Sequence, residues 1–337
     1  MISIAIPTWN RSALLKRTLW SLVEAVRKYR DAGGTVALEV YVSDNASVDR
    51  TFEVVTLFTD IFYSLNVDFQ YVRNAENIGY DKNYLQCLTH SRGDYVFVIG
   101  DDDVLSVDSI ISLVKICRLN PDFIILSSQF KSLEVYNRSR YHEYLVEDGV
   151  VAIGQICSAV YNKSYLGDTE LPVPKVSSWV QVDIVFRNLL QCTHVLVHPP
   201  LVISNGDGAF LKPSSAIEVC WIRRFELLNV FRGQAVVDKL LKRNKPLILL
   251  SLFKLCIYNR LVEDEVPDYL LSKDRLSFVS PFFFRFLYAI SLIPLWLIKP
   301  IYGAVVRGFG LEDYRKYYAK QVRKSENVRD ALEPGNF

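Results

Sequence analysis

The sequence predicts an α/β fold: a mostly parallel central sheet with helices on its faces, followed by a helical C-terminal region. Three observations predict it. Short apolar runs alternate with helical periodicity over roughly the first 115 residues, the pattern of a parallel sheet with helical crossovers. Several of the runs end in polar clusters. After about residue 220 the chain becomes basic and aromatic.

Taken in order, Ile2–Ile6 is an apolar run closed by Pro7 and reads as a buried parallel strand. From Ser12 to Arg30, the residues Leu14, Leu15, Leu19, Leu22, Val23 and Val26 recur at helical spacing, and Ser12 is a candidate cap. Gly33-Gly34 breaks the chain. Leu38–Val42 is a second strand stopped by Ser43-Asp44-Asn45, and a helix is expected from about Val48 to Phe58. Phe69–Val72 is a third strand, Asp81–His90 a helix, and Tyr95–Ile99 a fourth strand running into Gly100-Asp101-Asp102-Asp103. Between 120 and 205 the pattern is mixed, with strands at Phe123–Ser127 and Val195–Ile203 and a helix at Val180–Leu190. The chain divides into a domain over 1–220, with halves at 1–110 and 111–220, and a region over 221–337.

Half of the 337 residues are hydrophobic and 13% are aromatic, which excludes a disordered chain. Fifteen Gly and 13 Pro exclude a collagen-like or low-complexity one. A net charge of +2 gives no sign of a nucleic-acid partner. The charge is uneven, however: residues 221–260 hold nine Lys and Arg against Glu226 and Asp238. The six cysteines lie at least 28 residues apart with no CxxC pair, and read as thiols of a reducing compartment rather than disulfides or zinc ligands. Met1 leads straight into Ile2-Ser3-Ile4 with no basic segment or cleavage site, so a cytosolic protein is expected.

In the C-terminal region, Trp221–Val237 and Pro246–Val262 read as apolar helices bearing Arg and Lys. Between Arg285 and Lys299 lie 13 uncharged residues interrupted by Pro294. A bilayer span needs about 20. Prolines, aromatics and flanking cations suit helices lying on an anionic membrane surface. A buried hairpin or an oligomer contact is the alternative.

In a parallel sheet, ligands sit beyond the carboxyl ends of the strands, where Thr8-Trp9-Asn10-Arg11, Ser43–Ser47 and Asp101–Asp103 fall. Three adjacent carboxylates repel one another. A hard divalent cation gives them a reason to stay together, with waters and phosphate oxygens completing its shell; a solvated turn capping the next helix is the plain alternative. Asp44 and Asn45 can accept hydrogen bonds from a base or ribose, or form an Asx turn. Asn77, Gly79 and Lys82 stand before a helix whose N-terminus suits phosphate, or they simply cap it.

Five segments follow in one order over residues 1–110: Pro7-Thr8-x-Asn10-Arg11, Asp44-Asn45-x-Ser47-x-Asp49-x-Thr51, Asn77-x-Gly79-x-x-Lys82-Asn83, Gly93-Asp94-Tyr95 and Asp101-Asp102-Asp103. The series closely resembles glycosyltransferase family 2, which has the GT-A fold. The Asn-Ile-Gly-Tyr-Asp form, and the Gly before three Asp, are similar to bacterial O-antigen and capsule transferases of the abequosyltransferase-like kind. The resemblance implies that Pro7, Thr8, Asn10 and Arg11 line a nucleotide pocket. Asp44 would hold the base, with Asn45, Asn77, Gly79 and Lys82 nearby. Asp101 and Asp102 would touch the ribose or sugar, and Asp103, with Asp101, would ligate Mn²⁺ or Mg²⁺. It further implies a nucleotide-sugar donor, its base open among UDP, GDP, CDP and dTDP, and a polyprenyl-diphosphate-linked saccharide as acceptor. The place of work would be the cytoplasmic face of a bacterial inner membrane, with the protein attached peripherally. Residues 1–110 would then bind the nucleotide-sugar and 111–220 the acceptor.

The acceptor side departs from the family. Most inverting members carry Glu-Asp seven and six residues before an Arg, and counting back from Arg187 gives Val180 and Gln181. Gln cannot take a proton. Asp183 and Asp207 remain as candidates for the base, each with a plain reading as a helix-surface acid or a turn residue. Two other functions stay open: a nucleotide-sugar-binding subunit without turnover, motivated by Gln181, and a nucleotidyltransferase. The latter is disfavoured because Pro7–Arg11 stands where a Gly-rich basic loop would be.

Overall fold

The computed structural model describes residues 1–128, 130–137, 140, 156–166, 180–189 and 192–204, with scattered positions between 233 and 285. The chain forms two compact units, Met1–Asn205 with Leu227–Leu240, and Gly206–Glu226 with Leu241–Phe337. Every described strand belongs to the first.

Its elements are β1 (Ile2–Thr8), α1 (Ser12–Asp31), β2 (Leu38–Asp44), α2 (Thr51–Ser64), β3 (Val67–Arg73), α3 (Tyr80–His90), β4 (Tyr95–Val98), β5 (Asp103–Leu105), α4 (Ser109–Cys117), β6 (Phe123–Leu126), β7 (Glu134–Tyr136), β8 (Ala159–Asn162), α5 (Lys163–Leu166), α6 (Val180–Leu189), β9 (Val195–His198) and β10 (Val202–Ser204). Among the described residues an eight-stranded sheet has the order β3-β2-β1-β4-β8-β6-β9-β7. The half made of β3, β2, β1 and β4 is wholly parallel. Strand β8 enters antiparallel between β4 and β6, β6 and β9 are parallel, and β7 closes the edge antiparallel to β9. Strands β5 and β10 form a separate antiparallel ribbon.

Strands β1 and β2 are buried along their whole length, which is why their sequences read as unbroken apolar runs. Ile2, Ile4, Ile6, Leu38, Val40 and Val42 face a core completed by Leu15, Leu19 and Leu22 of α1 and Phe58 and Phe62 of α2. The opposite face buries polar pairs among its apolar residues. There Ser43 donates to Asn83 Oδ1 of α3 at 2.7 Å, and the buried Glu39 accepts from Ser3 Oγ and the Arg92 backbone. Gly93 packs against this network, and a Cβ there would lie 2.5 Å from Ser3 Oγ and 2.6 Å from Ser3 N.

Several boundaries differ from expectation, for physical reasons. Strand β1 runs through Pro7 to Thr8. Ala5 O accepts from Ile99 N and Thr8 O from Asn45 N, so the position of Pro7 faces β4, whose ladder has already ended at Ala5–Val98. The missing N–H is not needed there. Ser12 does not cap α1; the Asp49 carboxylate accepts its N–H at 2.8 Å instead. Asp49 also accepts from Thr51 N, so α2 starts at Thr51 and continues to Ser64. The single strand expected over Val195–Ile203 is two, β9 and β10, interrupted by Pro199-Pro200 and belonging to different sheets. Cys87, Cys117, Cys157 and Cys192 carry no disulfide. Among the described residues no helix is long and apolar enough to cross a membrane. The helices expected over 221–337 lie outside the described residues, apart from isolated positions.

Candidate functional site

Parallel pairing in register, with Thr8 opposite Asp44 and Ala5 opposite Val98, carries the ends of β1, β2 and β4 to one edge of the sheet. The sequence Gly100-Asp101-Asp102-Asp103 turns there. Asp101 is 3% exposed, and both its oxygens are engaged: Oδ1 is 2.7 Å from Arg11 Nη1, and Oδ2 accepts from Thr8 Oγ1 at 2.7 Å. The second arm of the Arg11 fork reaches Asp102 Oδ2 at 2.9 Å. Asp103, also buried, accepts the Gly100 N–H through Oδ2 at 2.8 Å. Burial pushes the Asp101 carboxyl up to about 7, against the opposing pull of Arg11 and Thr8, and burial raises Asp103 as well. A Cβ on Gly100 would lie 2.7 Å from Asp102 Oδ1 and 3.1 Å from Asp103 Oδ2, so any larger residue there would push these carboxylates from their positions.

Helix α1 grips the turn from beneath. The fully buried Thr18 hydroxyl lies 2.8 Å from the Asp101 carbonyl and 2.7 Å from that of Asp103. Arg17 Nη2 donates to the Asp102 carbonyl at 3.0 Å, and Ser21 Oγ accepts the Leu105 N–H at 3.1 Å. Sequence reasoning missed Arg17, Thr18 and Ser21. Their one signal is polar residues at i, i+1 and i+4 on a helix whose neighbouring positions, Leu15, Leu19 and Leu22, are core.

At the end of β2, Asp44 Oδ1 accepts the Ser47 N–H at 2.9 Å and Oδ2 accepts the Tyr71 hydroxyl at 2.6 Å, with Arg73 Nε at 3.8 Å. Asp44 thus closes the loop onto its own backbone three residues on, one residue further than an Asx turn. Asn45 donates to Asn77 Oδ1 at 2.8 Å and accepts the Ile78 N–H at 2.9 Å. Asn77 Oδ1 in turn accepts the Gly79 N–H. Gly79 then enters α3 at φ +84°, a conformation that favours glycine. Asn10, left-handed at φ 52°, donates its N–H to Ser47 Oγ and accepts the Val48 N–H, which ties the loop after β1 to the loop after β2. Pro7 is buried within β1. Lys82 is exposed on the first turn of α3 and has no ion pair among the described residues. Trp9, absent from the sequence candidates, stands beside Thr8 with half its surface exposed.

On the acceptor side the plain reading of Asp183 as a surface acid is corrected. It is fully buried, with Arg187 Nε 3.1 Å from both of its oxygens. Gln181 lies at the start of α6, where Tyr80 OH donates to its Oε1 at 3.4 Å and Asp81 Oδ1 accepts the Val180 N–H. Asp207 lies outside the described residues.

The acidic turn fits a divalent cation that is shared with a ligand. Among the described residues no three His, Cys, Asp or Glu side chains form a closed cage. The turn offers hard oxygen donors, and Asp103 has no cationic partner among the described residues. A cation held by one or two carboxylates and completed by phosphate oxygens suits that donor set.

The sequence model described as Glycosyl transferase family 2 matches residues 3–171. Abequosyltransferase RfbV of Salmonella typhimurium is 34% identical over 80% of this chain and 87% of its own length. Among solved structures, S. aureus TarS 1–349 in complex with UDP-GlcNAc superimposes with a TM-score of 0.57 at 14% identity, covering 90% of this chain and 91% of that one. The mannosyltransferase PcManGT from Pyrobaculum calidifontis, in complex with GDP-Man and Mn²⁺, gives a TM-score of 0.53 at 15% identity over 88% and 87%. At these identities the two structures share the fold with this chain.

Proposed function

The chain belongs to glycosyltransferase family 2 and has its GT-A fold, and from that premise we propose that it transfers a sugar from a nucleotide-sugar to a hydroxyl of a lipid-linked saccharide in bacterial surface-polysaccharide synthesis. The observation that carries the donor side is the acidic turn, buried and gripped by Thr8 and Arg11 at the end of β1. The 34% identity to an abequosyltransferase supports an O-antigen-like product. The basic, aromatic composition of 221–337 supports attachment to an anionic membrane surface.

The residues divide the work as follows. Asp44 receives the base, its carboxylate keeping lone pairs beyond those used by Ser47 and Tyr71. The exposed Trp9 ring stacks on that base. Pro7, Thr8 and Asn10 shape the wall, and Asn45, Asn77 and Gly79 hold the loop that leads Lys82 towards the phosphates. Asp101 and Asp102 face the ribose and sugar, while Asp103, with Asp101, holds Mn²⁺ or Mg²⁺. The cation, when bound, neutralises charge on the departing nucleoside diphosphate. Mn²⁺ and GDP-Man in PcManGT, and UDP-GlcNAc in TarS, support this class of ligand for the fold. Of the two base candidates, Asp207 is preferred, because Asp183 is fully buried and gives both oxygens to Arg187.

Gln181 favours a second reading, a binding subunit without turnover. Incubating the full-length chain with a panel of UDP-, GDP-, CDP- and dTDP-sugars, Mn²⁺ and a lipid-linked saccharide extract separates the two. Release of nucleoside diphosphate from one donor, dependent on acceptor, is the result expected of the enzyme. Donor binding without release establishes the subunit.

A further inference from the structure

Arg11 holds the acidic turn in a way that bears on the order in which ligands bind. Its guanidinium forks across two carboxylates, at 2.7 Å from Asp101 and 2.9 Å from Asp102. With Thr8 on the other oxygen, Asp101 has no oxygen without a protein donor. A divalent cation and a guanidinium on the same carboxylate oxygens repel each other and compete for the same negative charge, so each weakens the hold of the other. A cation that uses Asp101, or Oδ2 of Asp102, therefore competes with Arg11 for it. The arginine is placed to move: its side chain is 30% exposed and it immediately precedes α1, whereas Asp101 is 4% exposed and fixed. A guanidinium fork fits phosphate oxygens as well as it fits carboxylates.

We propose that Arg11 is the internal counter-ion of the acidic turn and yields it to a divalent cation only as a nucleoside diphosphate takes the guanidinium. The inference rests on the donor-site reading above. It makes metal and nucleotide binding positively coupled through one side chain, with the metal alone bound weakly. An empty site would then gather little cation, and the cation arrives together with the leaving group whose charge it offsets.

The test uses the full-length chain as wild type, Arg11→Gln and Arg11→Lys. Free Mn²⁺ is followed by electron paramagnetic resonance, first with metal alone and then with UDP, GDP, CDP or dTDP. Arg11→Gln is expected to bind Mn²⁺ alone about tenfold more tightly than wild type, and the factor by which nucleotide tightens Mn²⁺ is expected to fall by a similar amount, since coupling is reciprocal. Arg11→Lys, which keeps the charge but loses the fork, should fall between and guards against misfolding of the neutral variant. An arginine that merely lined the pocket would lose nucleotide affinity with no gain for metal alone. Equal or weaker Mn²⁺ binding by both variants, with coupling intact in wild type, overturns the inference while leaving the donor site standing. Wild type that binds Mn²⁺ with none of the four nucleotides overturns the donor-site reading and the inference with it.

Discussion

Replacing Thr18 by Val tests whether α1 sets the geometry of the acidic turn. The two side chains have nearly the same shape, so no cavity opens, but the hydroxyl between the carbonyls of Asp101 and Asp103, 2.8 and 2.7 Å away, is removed. Two acceptors in a fully buried setting then lose that donor. Leaving buried polar groups unpaired costs about 1–3 kcal/mol. For a domain near 200 residues each kcal/mol lowers Tm by about 2–4 °C. Thr18→Ser keeps the hydroxyl and forfeits one methyl, about 1 kcal/mol. The turn also bears the carboxylates of the donor site, so a displacement there is expected to slow transfer about 10–100-fold in Thr18→Val and far less in Thr18→Ser. Urea unfolding followed by tryptophan fluorescence, with initial rates at saturating donor, measures both. A Thr18→Val protein within about 0.5 kcal/mol of wild type and transferring at full rate would refute the reasoning.

Other expectations follow from single contacts. Gly100→Ala forces a Cβ to within 2.7 Å of Asp102 Oδ1, the movable end of a side chain; it is expected to keep its fold by circular dichroism while losing most transfer activity. Asp183→Asn removes the buried charge that faces the partly exposed Arg187 and is expected to cost about 1–3 kcal/mol in chemical denaturation; an inactive variant of wild-type stability would instead mark Asp183 as a base. Burial alone would raise the Asp122 carboxyl, but hydrogen bonds from Tyr165, Thr193 and His194 outweigh it and hold it below its usual 3.8. A lowered folded-state pKa stabilises above the unfolded value and loses that contribution as pH falls through the folded one. The Tm difference between wild type and Asp122→Asn should therefore be complete near neutrality and close below about pH 4, where unfolded aspartate titrates; a gap that stays constant down to pH 2 contradicts it.

The donor half was legible because its signals are local. Strands β1, β2 and β4 are buried runs with polar ends, and those ends meet because parallel strands with helical crossovers point the same way. What stayed hidden depends on tertiary partners. Asp49 caps α1 from 37 residues away, a role that displaces Ser12 from its expected one. Thr18 and Arg17 read as ordinary helix residues until the turn 83 to 85 positions later lies against them. Strands β5, β7 and β8 are three or four residues long, too short for alternation to show. Pro7 reads as a strand end because the ladder that spares its N–H is not written locally. The Asp183–Arg187 pair was open to inspection, as opposite charges four apart on one helix. Gly93-Asp94-Tyr95 belongs to the motif series, yet Gly93 packs against Ser3 at the opening of β4, away from the acidic turn.

The central claim is that the acidic turn binds a nucleoside diphosphate together with a divalent cation. Calorimetric titration of UDP, GDP, CDP and dTDP into full-length wild type and Asp103→Asn, each with and without Mn²⁺, tests it most directly. One nucleotide binding wild type only with Mn²⁺, and not binding folded Asp103→Asn, is the predicted result. Binding that ignores both Mn²⁺ and the loss of the Asp103 carboxylate would contradict the claim.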